Sequence, residues 1–484
     1  MKISALLSIV SSAAATCVLG TTALAQSPAP EPQSSTARPP VEQPPPPGTP
    51  RDFRLPDKTT RTLPSGLEIT FIEFGETPKV TIAASVRTGN LDEGARTWLA
   101  DLTGEMMKEG AGDRNSTQIA EQAAQMGGAL GVSVGPDETT VAIDVLSEFG
   151  PQAVALVADV LRRPRLPESE LERLRRNFER QLALSRTQPD ALAVEAMLAE
   201  LFPNHPYGRA YPTPEQLAGY TIQDVRNFHR DNFGALRTHL YVAGRFDRAA
   251  LARAVDEAFE GWERGPAPFI SPPTVAANPG VKLIDRPGAE QSTLRLAIPI
   301  VDPTHPDWMG VSLMNTLLGG AFSSRITSNI RENKGYAYSP GSSLNARYRT
   351  AYWVQAADVK TDATGPALQE IFAEVERLRR EPPGVAELKA MQNYRAGVFI
   401  LQNATRTALI AQLDYIDLHG LPDDYLTRWV ERLYALTPEQ ISAAANQHLR
   451  TDAMTLVVVG DLKVIRSQLE KLPQVTAREK KKAK

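Results

Sequence analysis

Apolar residues along the chain fall into two patterns, short alternating runs and longer stripes with helical spacing. Alternation of apolar and polar positions predicts four strands in the first half: 67–73, 80–86, 129–134 and 139–146. Stripes with a period near 3.6 residues predict three helices there: 96–108, 152–162 and 168–185. Strands and helices segregate, and a hairpin is predicted across residues 135–137. The pattern therefore indicates an α+β unit, a largely antiparallel sheet packed against helices.

The second half repeats this succession. Its predicted elements are two strands and two helices: 293–300, 351–359, 309–318 and 365–380. The segment from Thr221 to Gly244 matches the segment from Thr437 to Gly460 at a constant offset of 216 residues. Each copy predicts a helix capped by its threonine, a strand that ends in glycine, and a further helix. We therefore predict two homologous domains.

Composition shifts along the chain divide it further. The predicted segments are a signal peptide at 1–25, a Pro-rich disordered leader at 26–55, an N-terminal domain at 56–263, a Pro/Gly-rich linker at 264–280, a C-terminal domain at 281–473 and a basic tail at 474–484. The apolar stretch that ends in Ala23-Leu24-Ala25 is typical of a cleaved secretory signal. An N-terminal membrane anchor and a lipoprotein at Cys17 are the alternatives. We expect a periplasmic or secreted protein with no membrane span after cleavage.

Overall composition excludes several classes of protein. The 484 residues include 53 Lys and Arg and 56 Asp and Glu, a net charge of −3, which argues against a nucleic-acid partner. A single cysteine excludes a disulfide scaffold and a thiolate metal cluster. No two of the six histidines are three or four residues apart, so no local pair of metal ligands exists.

Several motifs together resemble one known family. They are the segments 87–93, 205–208, 242–244 and 458–461, and the run 323–326 that continues into 330–339. In these residues the chain resembles the pitrilysin/insulinase (M16) zinc peptidases, which include mitochondrial processing peptidase. The resemblance implies the two-domain α+β fold of that family and a function connected with peptide cleavage.

The resemblance also implies where zinc would bind. The family's motif is H-x-x-E-H on the first long helix, in which two histidines bind zinc and the glutamate activates water. Here Asp101 and Glu105 stand at the histidine positions and Gly104 at the glutamate, and the third ligand is expected near Gln181. We therefore predict no metal site and no catalytic residue in this chain. Asp101 and Glu105 are then a solvated acidic helix face or a pair neutralised by arginine, rather than a Ca²⁺ or Mg²⁺ site.

A second pair of residues matches the family's zinc-free half. The resemblance implies a substrate-binding arginine and tyrosine seven residues apart, and Arg331 and Tyr338 have that spacing. Guanidinium and phenol groups donate hydrogen bonds to a backbone carbonyl or to a developing oxyanion. Gly335 between them allows the chain to turn, so that both side chains converge. The alternative is a solvated helix-end charge and an ordinary strand aromatic.

Together these features predict a non-catalytic subunit. The chain would form a heterodimer with a homologous, H-x-x-E-H-bearing subunit, which carries the zinc, and would bind extended peptide substrate beside it. The alternatives are a peptide-binding or scaffold protein of the same fold, and an independent hydrolase with a different site.

Overall fold

Two β-sheets with helices against their faces form the core of the protein. The computed structural model describes residues 53–269, 272–273 and 279–476, all within one compact unit. The predicted signal peptide, nearly all of the leader, parts of the linker and residues 477–484 of the tail lie outside the described residues. Within the described ranges, no helix combines the length and the apolar composition that a membrane span requires.

The first half contributes eight strands: β1 Lys58–Thr62, β2 Glu68–Glu73, β3 Lys79–Val86, β4 Gly110–Ala111, β5 Arg114–Asn115, β6 Leu130–Val134, β7 Thr139–Leu146 and β8 Thr238–Gly244. Strands β4 and β5 pair with each other, and the other six form a sheet in the order β1-β2-β8-β3-β7-β6. Only β2 and β8 run parallel in this sheet, so the predicted largely antiparallel architecture is confirmed.

Eight helices accompany the first sheet: α1 Leu99–Met107, α2 Ser116–Gln125, α3 Gly150–Arg162, α4 Glu168–Ser185, α5 Pro189–Leu201, α6 Pro214–Ala218, α7 Ile222–Asn232 and α8 Arg248–Phe259. The prediction that the first helix begins at residue 96 is wrong. Trp98 has a left-handed backbone with φ 69°, so the helix begins only at Leu99. The sequence pattern did not single out α5, because its apolar residues surround the helix and do not form one stripe.

The second half contributes five strands and eight helices: β9 Val281–Asp285, β10 Gln291–Ile300, α9 Trp308–Asn315, α10 Arg325–Thr327, β11 Gly341–Arg347, β12 Thr350–Lys360, α11 Thr364–Arg380, α12 Val385–Gln402, α13 Arg406–His419, α14 Trp429–Tyr434, α15 Pro438–His448, β13 Thr455–Gly460 and α16 Leu462–Leu469. The sheet order is β11-β12-β10-β13-β9, with β9 and β13 parallel. The predicted capped helices are confirmed, since Thr221 and Thr437 accept hydrogen bonds from the third backbone N–H of α7 and α15. The helix predicted to end at 318 ends at Asn315 and continues as a π-helical turn.

Each half covers one face of the other half's sheet with a helix. Helix α5 of the first half packs on β10 and β13, and α13 of the second half packs on β3 and β8. Side chains alternate along β13: Val457 and Val459 face α5, whereas Leu456 and Val458 face the helices of their own half. The two halves therefore share buried surface on both sheets.

Truncating the α5 contact tests this exchange. Met197 on α5 is 2% exposed and packs in the cluster with Val457 and Val459. We expect Met197→Ala to lower the free energy of unfolding by about 2–5 kcal/mol. Denaturation followed by circular dichroism measures the effect, with Leu184→Ala on the exposed face of α4 as the control. A loss no larger than the control's would contradict the packing described.

Candidate functional site

The positions of the family's zinc motif lie together in one cavity. Helices α1 and α4 and strand β6 enclose about 350 Å³. Asp101, Gly104 and Glu105 enter this cavity from α1, and Gln181 enters it from α4. The fold thus brings together the four positions that the motif resemblance connects, although Gln181 lies far from the others in sequence.

Asp101 and Glu105 each have a partner other than a metal ion. Asp101 accepts a hydrogen bond of 2.7 Å from the side-chain amide of Asn90, and Glu105 forms an ion pair of 2.6 Å with Lys108. Burial raises the pKa of Asp101, although the hydrogen bond from Asn90 favours its charged form. The partner of Glu105 is a lysine one turn away, and no arginine pairs with either carboxylate among the described residues.

Gly104 is packed too closely for any larger residue. A Cβ atom placed there would lie 2.6 Å from Cγ2 of Val134 on β6. A glutamate at this position would therefore require Val134 to move. Val134 therefore occupies part of the space that the side chain of the family's general base would need at position 104.

Zinc peptidase chemistry does not fit the residues present in this cavity. Its polar side chains are two carboxylates, each already partnered, and the amides of Asn177 and Gln181. There is no imidazole in it, and no carboxylate stands at position 104 to accept a proton from water. We derive no hydrolytic step from this site.

The segment 87–93 holds the beginning of α1 in place. The carboxylate of Glu93 accepts hydrogen bonds of 3.1 Å from the backbone N–H groups of Trp98 and Ala100, which satisfies the free donors of the first turn. Asp92 forms an ion pair of 3.0 Å with Arg237, and both side chains are about 5% exposed. Burial raises the pKa of Glu93 to about 8, against the hydrogen bond from Ala100. The segment 87–93, one of the motifs that carry the family resemblance, thus has a structural role at the start of α1.

Arg331 and Tyr338 lie side by side on the surface of the second half. The guanidinium carbon of Arg331 is 5.0 Å from the ring centre of Tyr338 and 4.5 Å from that of Phe322. The two rings are 78% and 65% exposed, large fractions for aromatic residues. Gly335 between Arg331 and Tyr338 has φ 64°, a left-handed conformation that favours glycine. The turn that was predicted from Gly335 is present.

The backbone that carries this aromatic–arginine cluster of Phe322, Arg331 and Tyr338 is unusual. Two π-helical turns, Thr316–Gly320 and Ser328–Asn333, lie on either side of the loop that contains Phe322. Such turns are rare and occur frequently at functional sites. Arg325, whose side chain is 9% exposed, donates from Nε and Nη2 to the two carboxylate oxygens of Glu387 on α12 at 2.7 and 2.8 Å. The bidentate pair fixes the segment to the helical layer.

One set of side chains in the described ranges could share a cation. Nδ1 of His239 lies 3.1 Å from Asp417 and 3.6 Å from Glu68, in a cavity of about 440 Å³ between the halves. Burial raises the pKa of Glu138 in the same cavity, and the negative charge of neighbouring Asp414 raises it further. His239 and Asp417 are 178 residues apart in sequence. Ligand spacing within a short segment of sequence therefore does not reveal this cluster. Phe322 also carries no local sequence signal that connects it with Arg331.

Family models match most of the described chain. The model described as Insulinase (Peptidase family M16) matches residues 71–215, and the model described as Peptidase M16 inactive domain matches residues 219–394. The chain belongs to the M16 peptidase family. The second match covers Arg331 and Tyr338 but not residues 101–105, so its description concerns only the later part of this M16 chain.

Individual proteins agree with this assignment. An uncharacterized zinc protease of Mycobacterium bovis is 25% identical over 428 residues, which cover 86% of this M16 chain and 95% of that protein. A crystal structure of a peptidase M16 inactive domain from Pseudomonas fluorescens is 25% identical with a TM-score of 0.78, covering 84% of this chain and 98% of that one. A protease from Helicobacter pylori has a TM-score of 0.77 at 17% identity, over 84% of this chain and all of its own, and shows the fold alone.

The contact at Gly104 gives a first test of this site in the M16 chain. Alanine is better than glycine in a helix by about 1 kcal/mol. We nevertheless expect Gly104→Ala to destabilise the protein by about 1–3 kcal/mol, because its methyl group overlaps Val134. Gly397→Ala on α12, where nothing lies within 4 Å, is the control and should stabilise. Chemical denaturation measures both, and adding Val134→Ala should recover most of the loss at 104.

Glu93 gives a test that depends on pH. Because its pKa is about 8 in the folded protein and near 4.5 ordinarily, its contribution to stability is complete below about pH 4.5 and is lost as pH rises to about 8. The slope is at most about 1.4 kcal/mol per pH unit. We expect Glu93→Gln to flatten the fall of Tm between pH 5 and 8. The exposed Glu168→Gln is the control, and identical pH profiles for Glu93→Gln and the unaltered protein would refute the assignment.

Proposed function

We propose that this chain is an exported, zinc-free M16 subunit that pairs with a homologous zinc-bearing subunit and binds peptide substrate beside the partner's metal. Arg331 and Tyr338 contact the substrate in this proposal. The observation that carries it is the contrast between the two sites. At the zinc-motif positions there is no imidazole and Gly104 packs against Val134, whereas the rings of Phe322 and Tyr338 are exposed to solvent.

The chemistry of the cluster supports a role in holding peptide. The guanidinium of Arg331 contacts both exposed rings, and such cation–π contacts orient it. Among the described residues its ion pair is with the neighbouring Glu332, at 3.1 Å from Nε, and uses neither terminal nitrogen. A backbone carbonyl, or the oxyanion that forms at a scissile bond, is the acceptor that such donors suit.

The proposed location rests on the predicted signal peptide, which lies outside the described residues, and the proposed partner rests on the zinc-motif positions 101–105. The proposed signal peptide would export the chain to the periplasm or the medium, where the Pro-rich leader precedes the domains. The zinc and the general base would both come from the partner subunit, so the chain alone would not hydrolyse peptide.

A second candidate is a peptide-binding or scaffold protein of the same fold. The exposed rings of Phe322 and Tyr338 favour it as much as they favour a subunit, because they suit binding without cleavage. The two candidates differ in whether a zinc-bearing M16 chain copurifies.

The decisive experiment combines the chain with its zinc-bearing homologue. We expect the pair to cleave a fluorogenic peptide that neither chain cleaves alone. We expect Arg331→Ala with Tyr338→Phe to lower kcat/KM by about 10²–10³-fold, the usual effect of removing transition-state donors. Size-exclusion chromatography of the variant pair checks that assembly is intact.

A matched double variant controls for surface changes. Arg450→Ala with Tyr394→Phe removes an exposed arginine and an exposed phenol elsewhere on the same half, and we expect activity to remain within twofold. Unchanged turnover in the Arg331/Tyr338 variant would refute the role of these residues. A chain that binds peptide but never a zinc-bearing homologue would support the scaffold function.

A further inference from the structure

The second half contains a cavity whose position corresponds to that of the zinc-motif cavity in the first half. Helix α9, strand β11 and helix α12 enclose about 400 Å³, with α13 and α14 completing the wall. By sheet order and succession these elements correspond to α1, β6 and α4. The volume is in the range of small-ligand sites.

Aromatic side chains form most of one wall of this α9–α12 cavity. Phe399 and Trp429 stack with their ring centres 4.3 Å apart and their planes within 4°. Tyr415, Tyr425 and Trp308 contribute three further rings to the lining. A flat apolar group fits such a wall, because stacked and edge-on rings interact favourably.

A single cation, Arg395, enters the cavity from α12. Its guanidinium carbon lies 5.5 Å from the ring centre of Trp429, and it donates a long hydrogen bond of 3.3 Å to Oγ of Ser312. Within the described parts of the chain no carboxylate forms an ion pair with it, and the ionisable groups that act on its charge are Tyr394 and Tyr425. Burial lowers the pKa of Arg395, as expected for a cation without a nearby carboxylate.

The rest of the lining carries no charge and includes both polar and apolar side chains. Asn315 and Ser342 hydrogen-bond to each other at 2.7 Å on the floor, and Gln402 and Gln412 offer amides at the side. Arginine has five N–H donors in a planar fork, which matches the two oxygens of a carboxylate. No carboxylate among the described residues pairs with Arg395, and an anionic group of a ligand would fill that role.

We propose that the α9–α12 cavity binds a carboxylate attached to an aromatic or apolar group, with the carboxylate on Arg395 and the group against Phe399 and Trp429. Two sources have this chemistry, the C-terminal residue of a peptide and a free arylalkanoic acid. The inference does not rest on the proposed heterodimer, because it concerns one chain and residues away from Arg331 and Tyr338.

Calorimetry with the purified chain alone tests the site. The probes are N-acetylphenylalanine and its C-terminal amide, 3-phenylpropionate, and a hexapeptide that ends in phenylalanine with a free or an amidated terminus. We expect the acid of each matched pair to bind at least about tenfold more tightly than the amide, since a charge-assisted hydrogen bond is lost. Tighter binding of the free-terminus hexapeptide than of 3-phenylpropionate identifies a peptide terminus, and the reverse order identifies a free acid.

Variants then assign the effect to Arg395. We expect Arg395→Met to remove the preference for acid over amide and Arg395→Lys to keep part of it. Lys389→Met is the control, since Lys389 lies on the same helix over Tyr434 and does not line the cavity. Circular dichroism checks folding, and if Arg395→Met does not fold, the comparison of acid with amide in the unaltered chain decides. Equal binding of acid and amide, no binding of either at 10 mM, or an unchanged preference in folded Arg395→Met would overturn the proposal.

Discussion

The exchange of α5 and α13 between the halves is the contact on which the rest of the structure depends. A sheet with one uncovered apolar face would not be stable in water, because its side chains alternate between the two faces and both must be covered or polar. Here each sheet obtains its second cover from the other half. Neither half is therefore complete by itself, and cavities form where the two meet.

The two exchanged contacts differ in chemistry. Around α5 the centre of the contact is apolar, with Met197 and Leu201 against Val457 and Val459. Two ion pairs lie at the ends of the helix, Asp190 with Arg295 and Glu200 with Lys282. Around α13 it is polar, since Ser85 donates to Asp414 and Arg406 pairs with Asp144 at 2.9 Å. Apolar burial provides stability that varies little with pH, whereas the buried carboxylates beside α13 make that contact sensitive to protonation. The contact at α5 therefore depends mainly on apolar burial, whereas the contact at α13 depends mainly on hydrogen bonds and ion pairs.

The same architecture has developed differently at its two corresponding cavities. In the first half the cavity is lined by Asp101 and Glu105, and Val134 lies where the side chain of a glutamate at position 104 would begin. In the second half the corresponding cavity is lined by rings and contains the uncompensated Arg395. The exposed cluster of Phe322, Arg331 and Tyr338 is a third feature, supported by π-helical turns and the Arg325–Glu387 pair. The two corresponding cavities therefore differ in chemistry, with carboxylates and amides in the first and aromatic rings and a guanidinium in the second.

The sequence alone is sufficient for the α+β class, the family, and the absence of histidine at positions 101 and 105, because these depend on local periodicity and on motifs read in order. It also located the capped helices at Thr221 and Thr437, since a cap involves residues three apart. Other features are visible only in the folded chain. Helix α1 begins after the left-handed Trp98, α5 and α13 each pack on the other half's sheet, and Val134 lies close against Gly104. Three more features likewise appear only in the tertiary structure: Phe322 beside Arg331, the His239 cluster, and Arg395 without a carboxylate partner among the described residues. Each depends on contacts between segments distant in sequence, and such contacts leave no periodic signal in the chain.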